Sequence, residues 1–328
     1  MTKIIAEIGS VHDGSFGNAC QLVKVAAACG ADVAKFQTHI AEAETLRDAP
    51  APAYFRGEPR WDYFKRTAFN EQQWLGIKAA CENAGVEFLS SPFSELAVDL
   101  LERVGVGSYK IPSGEVTNLP LLERIAATGK PVYLSSGMSN WAELDAAVAV
   151  LGKGGPLTIM QCTSAYPCPP ERAGLNVIGE IAMRYGLPVG FSDHVDGFAA
   201  ALVAAAMGAT VIEKHLTFSR QMYGSDAANG MEPTDFQKYC RSLRDVWTMT
   251  QHPVDKDDLS DYLDMKQVFE KSIVTARPLA AGSVICREDL AFKKPGDGIS
   301  AAKYMEFVGR RVIVDLLADH KLREGDLQ

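Results

Sequence analysis

Residues 189–215 read VGFSDHVDGFAAALVAAAMGATVIEKH, and this stretch decides the fold. Val189–Ser192 is a short apolar run that predicts a buried strand, whereas Phe198–Met207 has the length and composition of a helix. Gly208 is placed to end that helix, and Thr210–His215 is a second strand-like run. A strand, a helix and another strand in this order are typical of a βα unit around a parallel sheet.

Eight such units follow one another along the chain. The predicted strands are Lys3–Ile8, Val33–Gln37, Glu87–Ser90, Ser108–Ile111, Val132–Ser135, Leu157–Cys162, Val189–Ser192 and Thr210–His215. The predicted helices are Asn18–Cys29, Asn70–Ala84, Leu96–Val104, Leu119–Thr128, Trp141–Leu151, Val177–Tyr185 and Phe198–Met207, with Phe236–Met249 as a closing helix. Eight units in about 250 residues predict an α/β fold of the (β/α)8 TIM barrel type. An open doubly wound sheet is the alternative, but no GxGxxG motif follows the first strand.

After the barrel, the sequence becomes polar and then consists of short strand-like runs. This change predicts three segments. Residues 1–252 form the barrel, residues 253–268 form a polar linker or exposed helix, and residues 269–328 form a small β-rich domain. Three strand-like runs lie in the last segment, namely Ser272–Thr275, Val284–Cys286 and Arg311–Val314. A domain of about 60 residues is near the lower size limit for independent stability, so we expect it to dock onto a barrel or a second subunit.

Composition narrows the class of protein. The 328 residues carry a formal net charge of -8 with 47% hydrophobic residues, which suits a globular protein and argues against nucleic acid as a partner. Neither a signal peptide nor an apolar run long enough to span a membrane is visible, so a membrane is not an expected partner. Seven cysteines without CxxC pairs predict reduced thiols and a cytoplasmic location.

Polar residues stand at the end of each of the eight predicted strands, where TIM-barrel enzymes build their active sites. Lys35 and Lys110 lie in otherwise apolar strands, and a buried lysine needs an anionic partner. One explanation is an acidic residue paired across the barrel. Two lysines near the hydroxyls of Ser91, Ser113 and Ser135 instead favour a phosphate or carboxylate site, and hence a small anionic substrate.

The second feature is a pair of histidines, His194 and His215, at the ends of neighbouring strands seven and eight. With Glu7 beside them across the barrel closure, they suit a weakly held divalent metal such as Mn, Mg or Co. The same three residues could instead act as general acid and base. Lys214 points to the opposite side of its strand from His215, and the pattern assigns it no role.

Ten collinear segments carry a resemblance to a known family. They are AEIGSVHDG from Ala6, KFQT from Lys35, SSPF from Ser90, YKIPSGEVTN from Tyr109, LSSGM from Leu134, CTSAYPCP from Cys162, GFSDH from Gly190, IEKH from Ile212, GSD from Gly224 and FKKPGDGI from Phe292. On these segments the chain resembles the sialic acid synthase family, the phosphoenolpyruvate-dependent synthases of N-acetylneuraminic acid and its relatives. The last segment falls in what resembles the family's C-terminal antifreeze-like (SAF, β-clip) domain.

The resemblance implies a reaction and a role for each matched residue. The expected reaction condenses phosphoenolpyruvate with an open-chain N-acetylated sugar such as N-acetylmannosamine and releases phosphate by C–O cleavage. His194 and His215 would hold the metal, with Glu7 beside it as a third catalytic residue. The matched phosphoenolpyruvate positions are Lys35, Ser91, Lys110, Ser113, Ser135, Ser164 and Ser192, and the matched sugar positions are Gln37, Glu115, Tyr166, Asp226 and Lys294. The family also implies a domain-swapped homodimer.

The positions that depart from the family pattern bear on the identity of the sugar acceptor more than on the type of reaction. Ser164 stands where many members have an amide, and Lys294 stands where bacterial members often have an arginine, which lysine cannot replace in a bidentate contact. The acceptor could be N-acetylmannosamine, its 6-phosphate, or a diacetylated dideoxy sugar for legionaminic or pseudaminic acid. A pyruvate aldolase-type barrel and a carbohydrate-binding protein without activity are the competing functions.

Overall fold

The computed structural model describes residues 2–50, 58–224 and 226–328. The chain divides into two compact units, Met1–His252 and Pro253–Gln328. Each unit has its own buried apolar core. Within the described part of the chain, no helix combines the length and the apolar character that crossing a membrane requires.

The first unit is a closed barrel of eight parallel strands, in which strand β8 pairs with strand β1. The (β/α)8 fold predicted from the sequence is therefore confirmed. The strands are β1 Lys3–Gly9, β2 Val33–Thr38, β3 Glu87–Pro92, β4 Tyr109–Ile111, β5 Val132–Ser135, β6 Leu157–Cys162, β7 Val189–Asp193 and β8 Val211–His215. Their residues are almost all buried, since one face meets the helices and the other fills the barrel.

Helices alternate with the strands, and two more lie in the insertion after β2. They are α1 Phe16–Ala28, α2 Ala41–Glu44, α3 Arg60–Thr67, α4 Glu71–Ala84, α5 Glu95–Val104, α6 Leu119–Ala126, α7 Trp141–Leu151, α8 Asn176–Tyr185, α9 Ala199–Ala206 and α10 Pro233–Gln251. Local capping residues set the starts of some of these helices. Asn70 and Asn140 form capping boxes at the N-termini of α4 and α7. The insertion after β2 contains α2 and α3, which the periodicity does not predict.

Alternation along the strands divides the barrel interior into two layers. Ile5, Val33, Leu89, Tyr133, Met160 and Val211 form a separate apolar cluster toward the amino ends of the strands. The residues two positions later are mostly polar, among them Glu7, Lys35, Ser91, Ser135 and Glu213. Because residues two apart face the same side, an apolar floor lies directly beneath a polar layer.

The second unit contains helix α11, Leu263–Phe269, and an antiparallel pair of strands, β9 Ser272–Thr275 and β10 Leu290–Lys293. Two of its predicted strands are wrong. Val284–Cys286 and Arg311–Val314 form only isolated bridges, Val284 with Arg311 and Val312 with Leu327, because the chain turns immediately after each contact.

Candidate active site

The polar layer opens into a cavity of about 570 Å3 at the carboxyl ends of the strands. Every barrel residue assigned to the site from the sequence lines this cavity, namely Glu7, Lys35, Gln37, Ser91, Lys110, Ser113, Glu115, Ser135, Ser164, Tyr166, Ser192, His194, His215 and Asp226. Lys294 lies in the second unit, with its Nζ atom 4.8 Å from the centre of the Phe269 ring. The individual roles assigned to these residues remain predictions.

Two lysines and two glutamates form the charged centre of the cavity. Lys35 Nζ lies 3.2 Å from Glu7 Oε2 and 3.1 Å from Glu213 Oε1, so the pairing across the barrel considered for this lysine is present. Lys110 Nζ lies 3.8 Å from Glu213 Oε1 and donates to Ser135 Oγ at 2.5 Å. The second lysine is thus only loosely neutralised.

Burial and neighbouring charge act differently on these groups. Burial raises the pKa of Glu7 to about 7, although Lys35 opposes the shift. Burial also works against the ionised form of Glu213, but Lys110 and Lys35 outweigh it and lower its pKa. The pKa of Lys110 is lowered by burial. One carboxyl group can therefore exchange a proton near neutral pH while the other stays ionised.

Several buried polar atoms have no hydrogen-bond partner. Within the described residues, these atoms are Glu7 Oε2, Arg60 Nε, Ser91 Oγ, Ser164 Oγ, Glu213 Oε2 and His215 Nδ1, and all six residues line the same cavity. Buried polar groups in native proteins are nearly always paired. Such a concentration of unpaired groups indicates a site built to receive a polar ligand.

The two histidines are placed side by side at the cavity wall, with ring centres 5.7 Å apart. His194 Nδ1 lies 2.9 Å from Thr163 O, and because a carbonyl only accepts, this nitrogen carries a proton. Burial lowers the pKa of His215 to about 4, so this ring is neutral at neutral pH. Burial opposes a positive charge on His194, but Cys162 and the Thr163 carbonyl outweigh it and raise the pKa of this ring. The anchored nitrogen of His194 and the unpaired buried nitrogen of His215 fit a divalent metal once both rings are neutral.

The donor set around these rings is small. Within the described residues, no cluster of three or more His, Cys, Asp or Glu side chains could hold a metal ion. A metal held by the two histidines alone would have its remaining coordination positions open to water or substrate oxygens. The residues present therefore suit an exchangeable metal that is shared with the substrate.

Close backbone approach shapes both ends of the site. Gly9 has a φ of +51°, and a Cβ atom there would lie 2.4 Å from Asp226 Oδ2. That carboxylate accepts hydrogen bonds from Ser10 N and Ser10 Oγ, both at 2.9 Å. At Gly137, a Cβ atom would lie 2.4 Å from Ser113 Oγ and 2.6 Å from Ser164 Oγ. Glycine at both positions keeps space for these polar side chains.

Some lining residues were not assigned from the sequence. Glu213 stands at a strand end but was given no role, although it contacts both lysines. Arg60, His39 and Phe64 come from the insertion after β2, where no periodic pattern marks a site. The His39 ring stacks between Phe64 and Phe93, with ring centres 3.8 and 4.1 Å away. Their position at the cavity depends on tertiary packing, and no local signal could have identified them.

Comparison with known proteins identifies the family. The model of the NeuB family matches residues 22–255, and that of the SAF domain matches residues 270–328. N,N'-diacetyllegionaminic acid synthase of Campylobacter jejuni is 34% identical over 98% of this chain and 99% of its own length. The human N-acetylneuraminate-9-phosphate synthase is 31% identical over 98% of this chain and 91% of its own.

A solved structure gives the same result. The crystal structure of N-acetylneuraminic acid synthetase from Leptospira borgpetersenii in complex with citrate has a TM-score of 0.71 and 28% sequence identity, covering 81% of this chain and 90% of that one. The resemblance stated from the sequence is confirmed, as is the SAF domain that follows the barrel. The chain belongs to the NeuB family and is an enzyme of the phosphoenolpyruvate-dependent sugar-acid synthase type.

Proposed function

We propose that this enzyme condenses phosphoenolpyruvate with an open-chain N-acetylated hexose of the N-acetylmannosamine type. The observation that carries the proposal is the set of unpartnered buried polar atoms around two lysines in one cavity. Phosphoenolpyruvate carries both a phosphate and a carboxylate, which are the groups that lysines and hydroxyls bind. The sugar would occupy the part of the cavity beyond them.

In the proposed reaction, C3 of phosphoenolpyruvate attacks the aldehyde carbon of the sugar and forms the new C–C bond. Water adds at C2, and phosphate leaves from the resulting tetrahedral centre by cleavage of its C–O bond. Lys35 and Lys110 would hold the anionic groups, with hydroxyls from Ser91, Ser113, Ser135, Ser164 and Ser192 around them. A divalent metal, Mn, Mg or Co, held by His194 and His215 would polarise the aldehyde oxygen.

The two glutamates would divide the acid–base work. Glu7 is buried, with Oε2 in an ion pair with Lys35, and its raised pKa suits exchange of a proton with the attacking water near neutral pH. Glu213 would remain ionised and balance the charge of the lysines as phosphate departs. The remaining matched residues, Gln37, Glu115, Tyr166 and Asp226, would bind sugar hydroxyl and amide groups.

One assay tests the function. Purified protein is incubated with phosphoenolpyruvate and Mn²⁺, with and without N-acetylmannosamine, and inorganic phosphate is measured. We expect phosphate release that requires the sugar. A pyruvate aldolase-type enzyme would release no phosphate and would not need the metal, and a binding protein without activity would show no turnover in any arm.

The diacetylated deoxy sugar that would serve as the acceptor for a legionaminic-type acid is a second candidate. Phe64, Phe93 and Met138 are apolar side chains in the cavity lining, and apolar surface suits the methyl groups of such a sugar better than a phosphate. Two relatives named N,N'-diacetyllegionaminic acid synthase, at 34% and 32% identity, agree with this candidate. The phosphate assay with this sugar as the acceptor, in parallel with N-acetylmannosamine, compares the two.

Arg60 is predicted to donate a hydrogen bond to the sugar acceptor. Its Nε atom is buried and has no hydrogen-bond partner among the described residues, and its guanidinium lies 5.2 Å from the centre of the Phe64 ring. Arg60→Met is expected to raise the KM for the sugar about five- to tenfold, the effect of one hydrogen bond, with the KM for phosphoenolpyruvate unchanged. Lys65→Met, on the exposed side of the same helix, is the control. An unchanged sugar KM in Arg60→Met would contradict the prediction.

We also propose a domain-swapped homodimer, in which Lys294 serves the sugar end of the partner's site. The family resemblance supports it, as do exposed apolar side chains in the second unit, with more than half of the surface accessible at Leu263, Met265, Val268 and Phe269. Mixing inactive His215→Ala and Lys294→Ala subunits should restore part of the activity, because one site of a mixed dimer is intact. No recovery after demonstrated subunit exchange would contradict sharing.

A further inference from the structure

Lys214 is buried on the outer side of the barrel, away from the cavity, and so has no part in the proposed chemistry. Its Nζ atom lies 3.0 Å from Asp193 Oδ2, and the phenol of Tyr239 donates to the same carboxylate oxygen at 3.0 Å. All three residues are at most 4% exposed. We refer to Asp193, Lys214 and Tyr239 as the Asp193 cluster.

The Asp193 cluster links the two strands that carry the histidines. Asp193 and Lys214 are register partners in β7 and β8, and each immediately precedes a histidine, His194 or His215. Tyr239 reaches them from helix α10. The same three elements thus fix, behind the barrel wall, the two positions from which the imidazoles extend into the cavity.

The cluster also holds the peptide that follows His194. Asp193 Oδ1 accepts from Val195 N at 2.9 Å, and Lys214 Nζ donates to Val195 O. Both backbone groups of Val195 are therefore bound by the ion pair, and His194 O accepts from Cys168 N at 2.8 Å. With Nδ1 of the ring bound to Thr163 O, neither the backbone nor the ring of His194 is free to turn.

A contribution to folding stability does not by itself explain why the Asp193–Lys214 ion pair is buried. A buried ion pair gains little net free energy, because the cost of removing two charges from water offsets their attraction. What the pair and its hydrogen bonds do provide is a single geometry. The group bound to the second ring nitrogen of a metal-binding histidine commonly sets its orientation and its tautomer, and for His194 that group is Thr163 O. The Asp193 cluster can act on this contact by holding the backbone next to His194.

We propose that Asp193, Lys214 and Tyr239 are positioning residues that fix the orientation and the tautomer of His194 relative to His215. The inference rests on the proposed function only in giving the two histidines a metal to hold. Weakening the cluster should let the His194 ring leave Thr163 O and should reduce metal affinity, even when the barrel remains folded.

The first test uses metal-free protein labelled with 15N at histidine, which is practical because the chain has six histidines. In the parent, we expect the ring nitrogens of His194, assigned with His194→Asn, to report a single tautomer protonated at Nδ1. Tyr239→Phe removes one hydroxyl and Lys214→Met removes the charge. Both should shift the His194 resonances toward a mixture of tautomers, Lys214→Met more strongly.

The matched control is Tyr109→Phe. Tyr109 is equally buried, and its hydroxyl donates to a carboxylate, Glu102, at 2.6 Å, but it lies on β4, on the other side of the barrel from β7 and β8. This variant should lose thermal stability comparable to Tyr239→Phe while the His194 resonances stay unchanged. A merely structural role for the cluster would make the two tyrosine variants alike.

The second test is a titration with Mn²⁺ alone, followed by calorimetry. We expect about 10- to 100-fold weaker binding in Lys214→Met, a smaller loss in Tyr239→Phe, and parent affinity in Tyr109→Phe. If Lys214→Met fails to fold, Tyr239→Phe decides. Unchanged His194 resonances in the folded cluster variants would overturn the proposal. A parent that binds no Mn²⁺ would instead refute the proposed metal site, and the resonances would still decide the positioning.

Discussion

Lys110→Met is expected to raise the KM for phosphoenolpyruvate about ten- to a hundredfold, with a smaller change in the KM for the sugar. A hydrogen bond to a charged group contributes about 1.5–3 kcal/mol. Among the described residues, the only carboxylate paired with Lys110 is Glu213 at 3.8 Å, so an anionic substrate meets little competition for this charge. Methionine keeps most of the length of the side chain and fills the same buried space. Steady-state kinetics with each substrate varied in turn measure the effect.

Lys110 is a better test of the anion site than Lys35. Removing Lys35 would leave Glu7 and Glu213 buried without the cation between them, which costs about 3–5 kcal/mol of folding stability. Removing Lys110 leaves Glu213 paired with Lys35, so the barrel should stay folded. Lys130→Met is the control, since Lys130 pairs with Glu102 and is not part of the cavity lining. A parent-like KM for phosphoenolpyruvate in Lys110→Met, with only sugar affinity lost, would refute the site.

The sequence predicts the barrel and most of its lining because both depend on short-range patterns. The alternation in Glu213-Lys214-His215 assigns Glu213 and His215 to the cavity side and Lys214 to the outer side, and the structure agrees. The fixed geometry of a (β/α)8 barrel then brings the eight strand ends together. Residues far apart in the chain meet because each lies near the carboxyl end of its own strand.

The partners of these residues could not be predicted in the same way. That Lys35 contacts both Glu7 and Glu213 depends on distances across the barrel, which alternation does not give. Arg60 reaches the cavity from an insertion whose path is set by tertiary packing, including the stack of Phe64 on His39. The role inferred for Lys214 likewise appears only when Tyr239, 25 residues along the chain, packs behind it.

His215→Ala is expected to reduce turnover by about a thousandfold or more while the protein stays folded. Loss of a Lewis acid removes several kcal/mol of transition-state stabilisation, and each 1.4 kcal/mol is a factor of ten in rate. The site lies at the open end of the barrel above an intact apolar layer, so the truncation creates no cavity in the main core.

Chelation separates metal dependence from a simple loss of a side chain. Treating the parent with EDTA should abolish phosphate release without changing the circular dichroism spectrum, and added Mn²⁺ should restore it. His215→Ala should bind Mn²⁺ weakly and recover little at any concentration, whereas His252→Ala should behave as the parent, because His252 is exposed at the end of helix α10. If instead His215→Ala retained activity that resists EDTA, the two histidines would not hold a metal. Catalysis would then have to proceed through the alternative left open by the sequence, in which His194, His215 and Glu7 exchange protons directly with the substrates.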